Sequence, residues 1–370
     1  MKILLLGDYS NYHACLGRAL AREGHQVTVA SDGGAWMNTA RTISLDRSLP
    51  GKAGGLLLFA KMFFDSRLKG FDIVSLINPS FATLKPERLK IIFDKLKKNN
   101  GKIFLGSIGT DKATMDYLQS PDCALRYSEY YSAPGELYLP NLEVLEKDRL
   151  WQQGAIGEFC EYVYDNVAGI TTALYEYHLA MQKRFADNDL KYVGIPVETN
   201  SQQGCPTHEF SEKLKLFLGR HSYRKKFKGT DRLEVAARRV AEEFPEKCEF
   251  ILVEDQPYSV YIEKLKCADI VLDQLYSYTP ATNALLAMAD GKAVVSGGEP
   301  EYYEFIGESS LRPIINAVPD DEILYHTVRD MVLHREEVLE KAAQGPEFVA
   351  RHNDSSVVAN RHIEFWESKL

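Results

Sequence analysis

The opening of the chain alternates apolar runs with helical spacing. Lys2 to Leu6 is an apolar run, Gly7 to Tyr12 a turn, and His13 to Glu23 carries apolar residues at helix spacing until Gly24 ends it. Gln26 to Ala30, a β-branched strand, completes a strand-helix-strand unit. Further apolar strands are predicted at Ile73 to Ile77 and Ile103 to Leu105, with a helix over Pro86 to Lys98 whose proline suits the first helical position. The second half repeats the rhythm: strands at Leu214 to Leu218, Glu249 to Val253, Ile270 to Asp273 and Ala293 to Ser296, with helices at Arg232 to Phe244, Tyr258 to Cys267 and Pro280 to Asp290 between them. This alternation predicts an α/β chain with two doubly wound parallel sheets, helices on both faces.

Length agrees, because 370 residues exceed one ordinary hydrophobic core. The expected division is an N-terminal domain over 1–197, a C-terminal domain over 198–350, and a final helix over 351–370 that packs back on the first. Tyr192 to Thr207, polar and carrying two prolines and two glycines, is the expected hinge. Open α/β sheets bind ligands at the carboxyl ends of their strands, so two such domains predict a site in a central cleft. The six scattered cysteines form no C-x-x-C pair and read as reduced thiols. The N-terminal apolar run is too short for a signal peptide or a membrane span, which predicts a cytoplasmic protein. A net charge of -8 argues against nucleic acid as the main partner.

Against that charge, the run Gly219 to Gly229 (GRHSYRKKFKG) stands out, with five Lys or Arg and no acid directly after a predicted strand. Arg220, Arg224 and Lys228 there are suited to a diphosphate, though the same composition describes a solvated basic surface. A second candidate is the helix start at Thr279, Pro280, Ala281, Thr282 and Asn283, read as an N-cap followed by proline, whose free N–H groups favour an anion. The third is Gly297-Gly298 with Glu299 and Glu301, where carboxylates can accept hydrogen bonds from sugar or ribose hydroxyls. In the first half, Asp8, Asn11 and His13 occupy the first strand-to-helix turn, and Thr110 and Asp111 follow another strand. Asp187-Asn188-Asp189 resembles a D-x-D metal-nucleotide element, but no cluster has metal-ligand spacing, and no metal is expected.

Gly219-Arg220, Lys228-Gly229, Ala268-Asp269, Ala287-Met288-Ala289 with Gly291, and Gly297-Gly298-x-x-Glu301 fall in an order that resembles glycosyltransferase family 4, retaining enzymes of the two-domain GT-B fold. The likeness covers about 90 residues. It implies that Gly219, Arg220, Arg224 and Lys228 hold the donor diphosphate, and that Thr279, Thr282, Asn283, Gly298, Glu299 and Glu301 complete the donor site. Asp111, with Lys228 and Arg224, is the implied catalytic set; Asp8, Asn11, His13 and Thr110 would line the acceptor side. It further implies a nucleotide sugar as co-substrate, a saccharide or lipid-linked saccharide acceptor, no cofactor, and peripheral membrane contact, for which the basic helix Pro86 to Lys98 is the candidate beside its plainer reading as a helix packed on a sheet. The two glutamates this family carries, seven residues apart, would fall at Tyr278 and Leu286, and neither is acidic. A catalytically silent sugar-nucleotide-binding subunit and a nucleotide-sugar epimerase are the alternative readings.

Overall fold

A computed structural model describes residues 1–199 and 208–370. The expected hinge at Tyr192 to Thr207 therefore lies partly outside the described residues, as does Cys205. The chain forms two compact units: Met1–Gln119 with Asp148–Pro196 and Ser355–Leu370, and Ser120–Lys147 with Val197–Asp354.

The first unit is built on a seven-stranded sheet in the order Ile43–Ser44, Gln26–Ser31, Lys2–Leu6, Ile73–Leu76, Lys102–Ser107, Gly169–Thr172, Leu190–Tyr192. All its pairings are parallel, with Leu4 opposite Thr28 on one side and Val74 on the other. Ile3 to Leu6 are wholly buried, which is why the central strand reads as continuous apolar sequence rather than as alternation. The helix Tyr12–Arg22 follows the first strand, and Pro86–Asn99 buries Leu89, Ile92, Phe93 and Leu96 on one stripe. The basic residues of Pro86–Asn99 thus decorate a packed helix. The final helix, Ser355–Glu367, also belongs here: the rings of Phe365 and Trp366 stand 5.7 and 6.0 Å from that of Phe104. Tyr12 donates to the Gly194 carbonyl at 3.1 Å, leaving its oxygen to accept from Nε2 of His362, also at 3.1 Å. A helix at Gly51–Phe64 is absent from the sequence reading, because its apolar residues lie on both faces and give no clear period.

The second unit holds five parallel strands in the order Cys248–Glu254, Leu214–Arg220, Ile270–Leu272, Ala293–Ser296, Ile314–Asn316. The helix Thr230–Glu243 buries Leu233, Ala236, Ala237 and Val240, an i, i+3, i+4, i+7 stripe. Ser120–Lys147, which the sequence reading left in the first domain, groups with this unit instead. Its contacts explain the assignment: Tyr138 meets Tyr276, Tyr130 meets Phe227, and the Asn141 amide donates to the Lys226 carbonyl at 2.9 Å.

Candidate functional site

In the second unit three neighbouring strands end side by side, and the loop after each carries one of the candidate elements. After Leu214–Arg220 the chain makes a short 3-10 turn at Ser222–Arg224 and a single helical turn at Lys225–Lys228, closed by Gly229 in the left-handed conformation at φ 67°. A side chain at Gly229 would meet Leu275 at 2.6 Å, and one at Gly219 would meet the Tyr261 ring at 2.2 Å. Both glycines are required for packing, whatever they bind.

The three cations of this loop have different situations. Arg220 is spent inside the unit: Nε donates to Glu254 at 2.6 Å, one terminal nitrogen to Glu234 at 2.5 Å, and the other to the Thr230 carbonyl at 3.0 Å. Arg224 is exposed, its guanidinium over the Phe227 ring. Lys228 Nζ stands 3.7 Å from Oδ1 of Asp273, a buried carboxylate that also accepts from Ser296 Oγ at 3.1 Å. Burial pushes the Lys228 ammonium below the usual lysine range, with Asp273 opposing and Arg224 adding to the shift. Asp273, the residue just past Ile270–Leu272, thus faces Lys228, where the sequence predicts only the end of a strand.

The helix after Ile270–Leu272 begins later than expected. It runs Thr282–Ala289 with Ala281 as N-cap, and no side chain caps it. Thr279 is buried in a turn whose carbonyl accepts from Ser277 Oγ at 2.8 Å and from the Gln274 amide at 3.3 Å, so Thr279 is not the cap. Thr282 and Asn283 occupy the first turn, where backbone N–H groups point out of the helix without an intrahelical partner.

Glu299 and Glu301 take part in an arrangement built partly by Ser120–Lys147. The buried Glu299 carboxylate accepts from the Arg126 guanidinium through one oxygen and from the Tyr127 hydroxyl through the other. Arg126 Nε also donates to Glu301 Oε1 at 3.0 Å. Tyr278 is buried and its hydroxyl accepts from the Arg126 backbone N–H at 2.6 Å. Gly298 donates its N–H to Asn316 Oδ1 at 2.9 Å, and a side chain there would strike Ile314. Both oxygens of Glu299 thus have protein partners; those of Glu301 both accept from the Arg126 guanidinium, at 3.0 and 3.3 Å, on a side chain that is 38% exposed. Arg126 and Tyr127 carried no signal in the sequence because they lie far from the glutamates along the chain.

In the first unit the segments after Lys2–Leu6 and Lys102–Ser107 hold the remaining candidates. Asp8 is buried; Oδ1 accepts from the His13 N–H at 2.9 Å and Oδ2 from Thr39 Oγ1 at 2.6 Å. Burial raises its carboxyl above the usual range, opposed by those bonds. Asn11 is the left-handed cap residue before Tyr12–Arg22, at φ 66°. His13 is buried with Nδ1 2.7 Å from the Gly7 carbonyl, and burial lowers its pKa to about 4, so the ring is neutral. Asp111 is the N-cap of Lys112–Leu118, one oxygen accepting from the Thr114 N–H and hydroxyl at 3.0 Å each, and is fully buried. The carbonyls of Gly109 and Thr110 accept from the buried Asn78 amide. Asp189, from the D-x-D element, pairs with Lys369 at 2.7 Å.

No family model matches the chain, and no curated protein does. Solved structures share the fold. HepE from Anabaena, solved with UDP and glucose, superposes at TM-score 0.56 with 12% identity over all of both chains. WaaG, a glycosyltransferase involved in lipopolysaccharide biosynthesis, gives 0.55 and 12% identity over 98% of this chain and 99% of its own. S. aureus TarM, solved as a mutant with Fondaparinux, alpha-GlcNAc-glycerol and UDP, gives 0.54 and 11% identity over 84% of this chain; the chain spans 58% of TarM's length. Two parallel-sheet α/β domains with such neighbours constitute the GT-B fold.

Proposed function

We propose that the protein is a glycosyltransferase that moves a sugar from a nucleotide-diphosphate donor to a saccharide or lipid-linked saccharide acceptor. The observation that carries this reading is the end of the second unit's sheet, where the exposed Arg224 and the partly buried Lys228 occupy the loop beside Asp273, and the uncapped helix Thr282–Ala289 follows the neighbouring strand. A cation pair and a helix N-terminus at adjacent strand ends suit a diphosphate. Structural neighbours solved with UDP support the donor class.

In this reading the departing diphosphate gathers charge as the sugar carbon becomes oxocarbenium-like. Lys228 and Arg224 stabilise that charge, and Glu301 accepts from donor hydroxyls. One preorganised contact of this sort typically contributes about 100- to 1000-fold in rate. Retention of anomeric configuration, independence from metal, and a role in polysaccharide or glycolipid assembly complete the proposal, all on the family resemblance.

One observation favours a second reading. Tyr278 replaces an acidic residue, and Glu299 is engaged by Arg126 and Tyr127, which suits a subunit that holds a sugar nucleotide without transferring the sugar. A thermal-shift screen with UDP, GDP, TDP and their sugars, followed by product analysis with saccharide acceptors, separates the two. Ligand-induced stabilisation with sugar transfer supports the transferase, stabilisation without transfer the silent subunit, and no stabilisation by any nucleotide defeats both.

A further inference from the structure

The helix Gly51–Phe64 in the first unit turns an apolar face outward. Gly54, Leu58 and Met62 face the interior at four-residue spacing, while Leu56, Leu57 and Phe64 are 55%, 48% and 78% exposed. Ala53 and Ala60 fall on the same outward side. Exposed apolar residues of this size on one helix face call for a partner.

The charges around the face identify that partner. Residues 47–69 contain five basic side chains and one acidic; residues 85–99, which include the neighbouring helix Pro86–Asn99, contain six basic and two acidic. This corner therefore carries eleven cations against three anions in a chain whose total is -8. The charges also stand next to the apolar residues in space. Lys95 Nζ lies 3.9 Å from the Phe63 ring and 5.9 Å from that of Phe64, and the Arg88 guanidinium lies 5.9 Å from Phe59. Lys52 and Lys69, both exposed, flank the two ends of the helix.

We propose that this outward face docks on an anionic lipid bilayer, with Leu56, Leu57 and Phe64 entering the interface and Lys52, Lys69 and Lys95 meeting the head groups. The pattern has the features of an interfacial helix: apolar side chains on one face, Lys and Arg at its margins. Among the described residues no helix is long and apolar enough to cross a membrane, so docking is the mode the pattern allows for this helix. The sequence-level candidate for such contact is the helix over Pro86 to Lys98, beside its plainer reading as a packed helix; in the structure Pro86–Asn99 buries its apolar stripe and contributes charge. The proposal stands apart from the sugar-nucleotide reading, since vesicle binding requires no nucleotide.

The test is co-sedimentation of the full chain with vesicles of phosphatidylcholine alone and of phosphatidylcholine with about 30% phosphatidylglycerol. The protein is expected to pellet with the anionic vesicles, about tenfold more weakly with neutral ones, and less as salt rises. Leu56→Ser/Phe64→Ser should lose at least about tenfold in partitioning with an unchanged urea midpoint, because both side chains are exposed. Lys52→Glu/Lys69→Glu keeps the apolar face and should lose anionic preference; it decides the matter if the serine variant folds poorly. Failure of the wild type to bind anionic vesicles, binding indifferent to both variants, or a concentration-dependent dimer that the serines dissolve would overturn the proposal, the last in favour of a second copy of this chain as the occupant.

Discussion

Lys228 Nζ, in the loop after Leu214–Arg220, and Asp273 Oδ1, just past the neighbouring strand Ile270–Leu272, stand 3.7 Å apart, and the aspartate is buried while the lysine side chain keeps partial access to solvent. The aspartate holds the lysine in place and supports its charge where burial opposes it. Under the proposed function, a diphosphate there would meet a cation already positioned.

Replacing Lys228 by Ala should weaken nucleotide-diphosphate binding by about tenfold or more, slow turnover by about 100-fold, and also lower stability, since it leaves the buried Asp273 carboxylate without its cation. Asp273→Asn should act in the same direction and more weakly, since it leaves the ammonium but removes its support. Isothermal titration with UDP and GDP checks both; unchanged affinity in Lys228→Ala returns the basic loop to a solvated surface.

Arg126 couples Ser120–Lys147 to Glu299, and the pair is half exposed on the arginine side. Arg126→Ala is expected to lower stability by about 1 kcal/mol, with Tyr127 still satisfying one oxygen. Adding Glu299→Gln should recover part of that loss, because the carboxylate no longer needs a cation. A double-mutant cycle by urea unfolding measures the coupling, and strictly additive effects would mean the contact contributes nothing.

Tyr278→Glu is expected to destabilise the second unit by roughly 2 to 4 kcal/mol. The new carboxylate would be buried in the surroundings that hold Glu299, and the Arg126 N–H would lose its phenolic acceptor. Leu286→Glu, at a half-buried position, should be better tolerated. Thermal unfolding of the two variants compares them directly.

The histidines of the first unit set an acid limit. His13 is held neutral down to about pH 4 and His362 to about pH 3, in both cases by burial, whereas an unfolded histidine takes its proton near 6.5. Between those values the unfolded chain binds more protons, so stability is full above about pH 6.5 and falls as pH drops towards 4. His13 alone contributes at most about 3 kcal/mol to this slope. His13→Asn, whose amide can donate to the Gly7 carbonyl in place of Nδ1, should flatten it. Urea unfolding at a series of pH values gives the slopes.

Much of the architecture was readable in advance because short buried parallel strands such as Ile3–Leu6 and Ala293–Ser296 write themselves as uninterrupted apolar runs. Gly51–Phe64 was not, since a helix apolar on its outer face as well as its inner one has no period to detect. In the second unit, local signals describe residues that share one stretch of chain, as Arg224 and Lys228 do. They say nothing of a partner that comes from elsewhere in the chain: Arg220 is met by Glu234 and Glu254, and Glu299 by Arg126 and Tyr127. Asp111 caps Lys112–Leu118, and His13, in the first turn of Tyr12–Arg22, meets the Gly7 carbonyl, contacts that only the folded unit displays.

The return of Ser355–Glu367 to the first unit has a consequence for synthesis. Trp366 is fully buried there beside Phe104, yet some 160 residues of the other unit are translated between Pro196 and Ser355. At elongation rates of about 5 to 20 residues per second, the early sheet waits roughly ten to thirty seconds for the helix that covers it. During that interval the face around Phe104 lacks the Phe365 and Trp366 rings that pack on it in the folded unit. The usual order, in which the first domain is finished before the second begins, is not available to this chain.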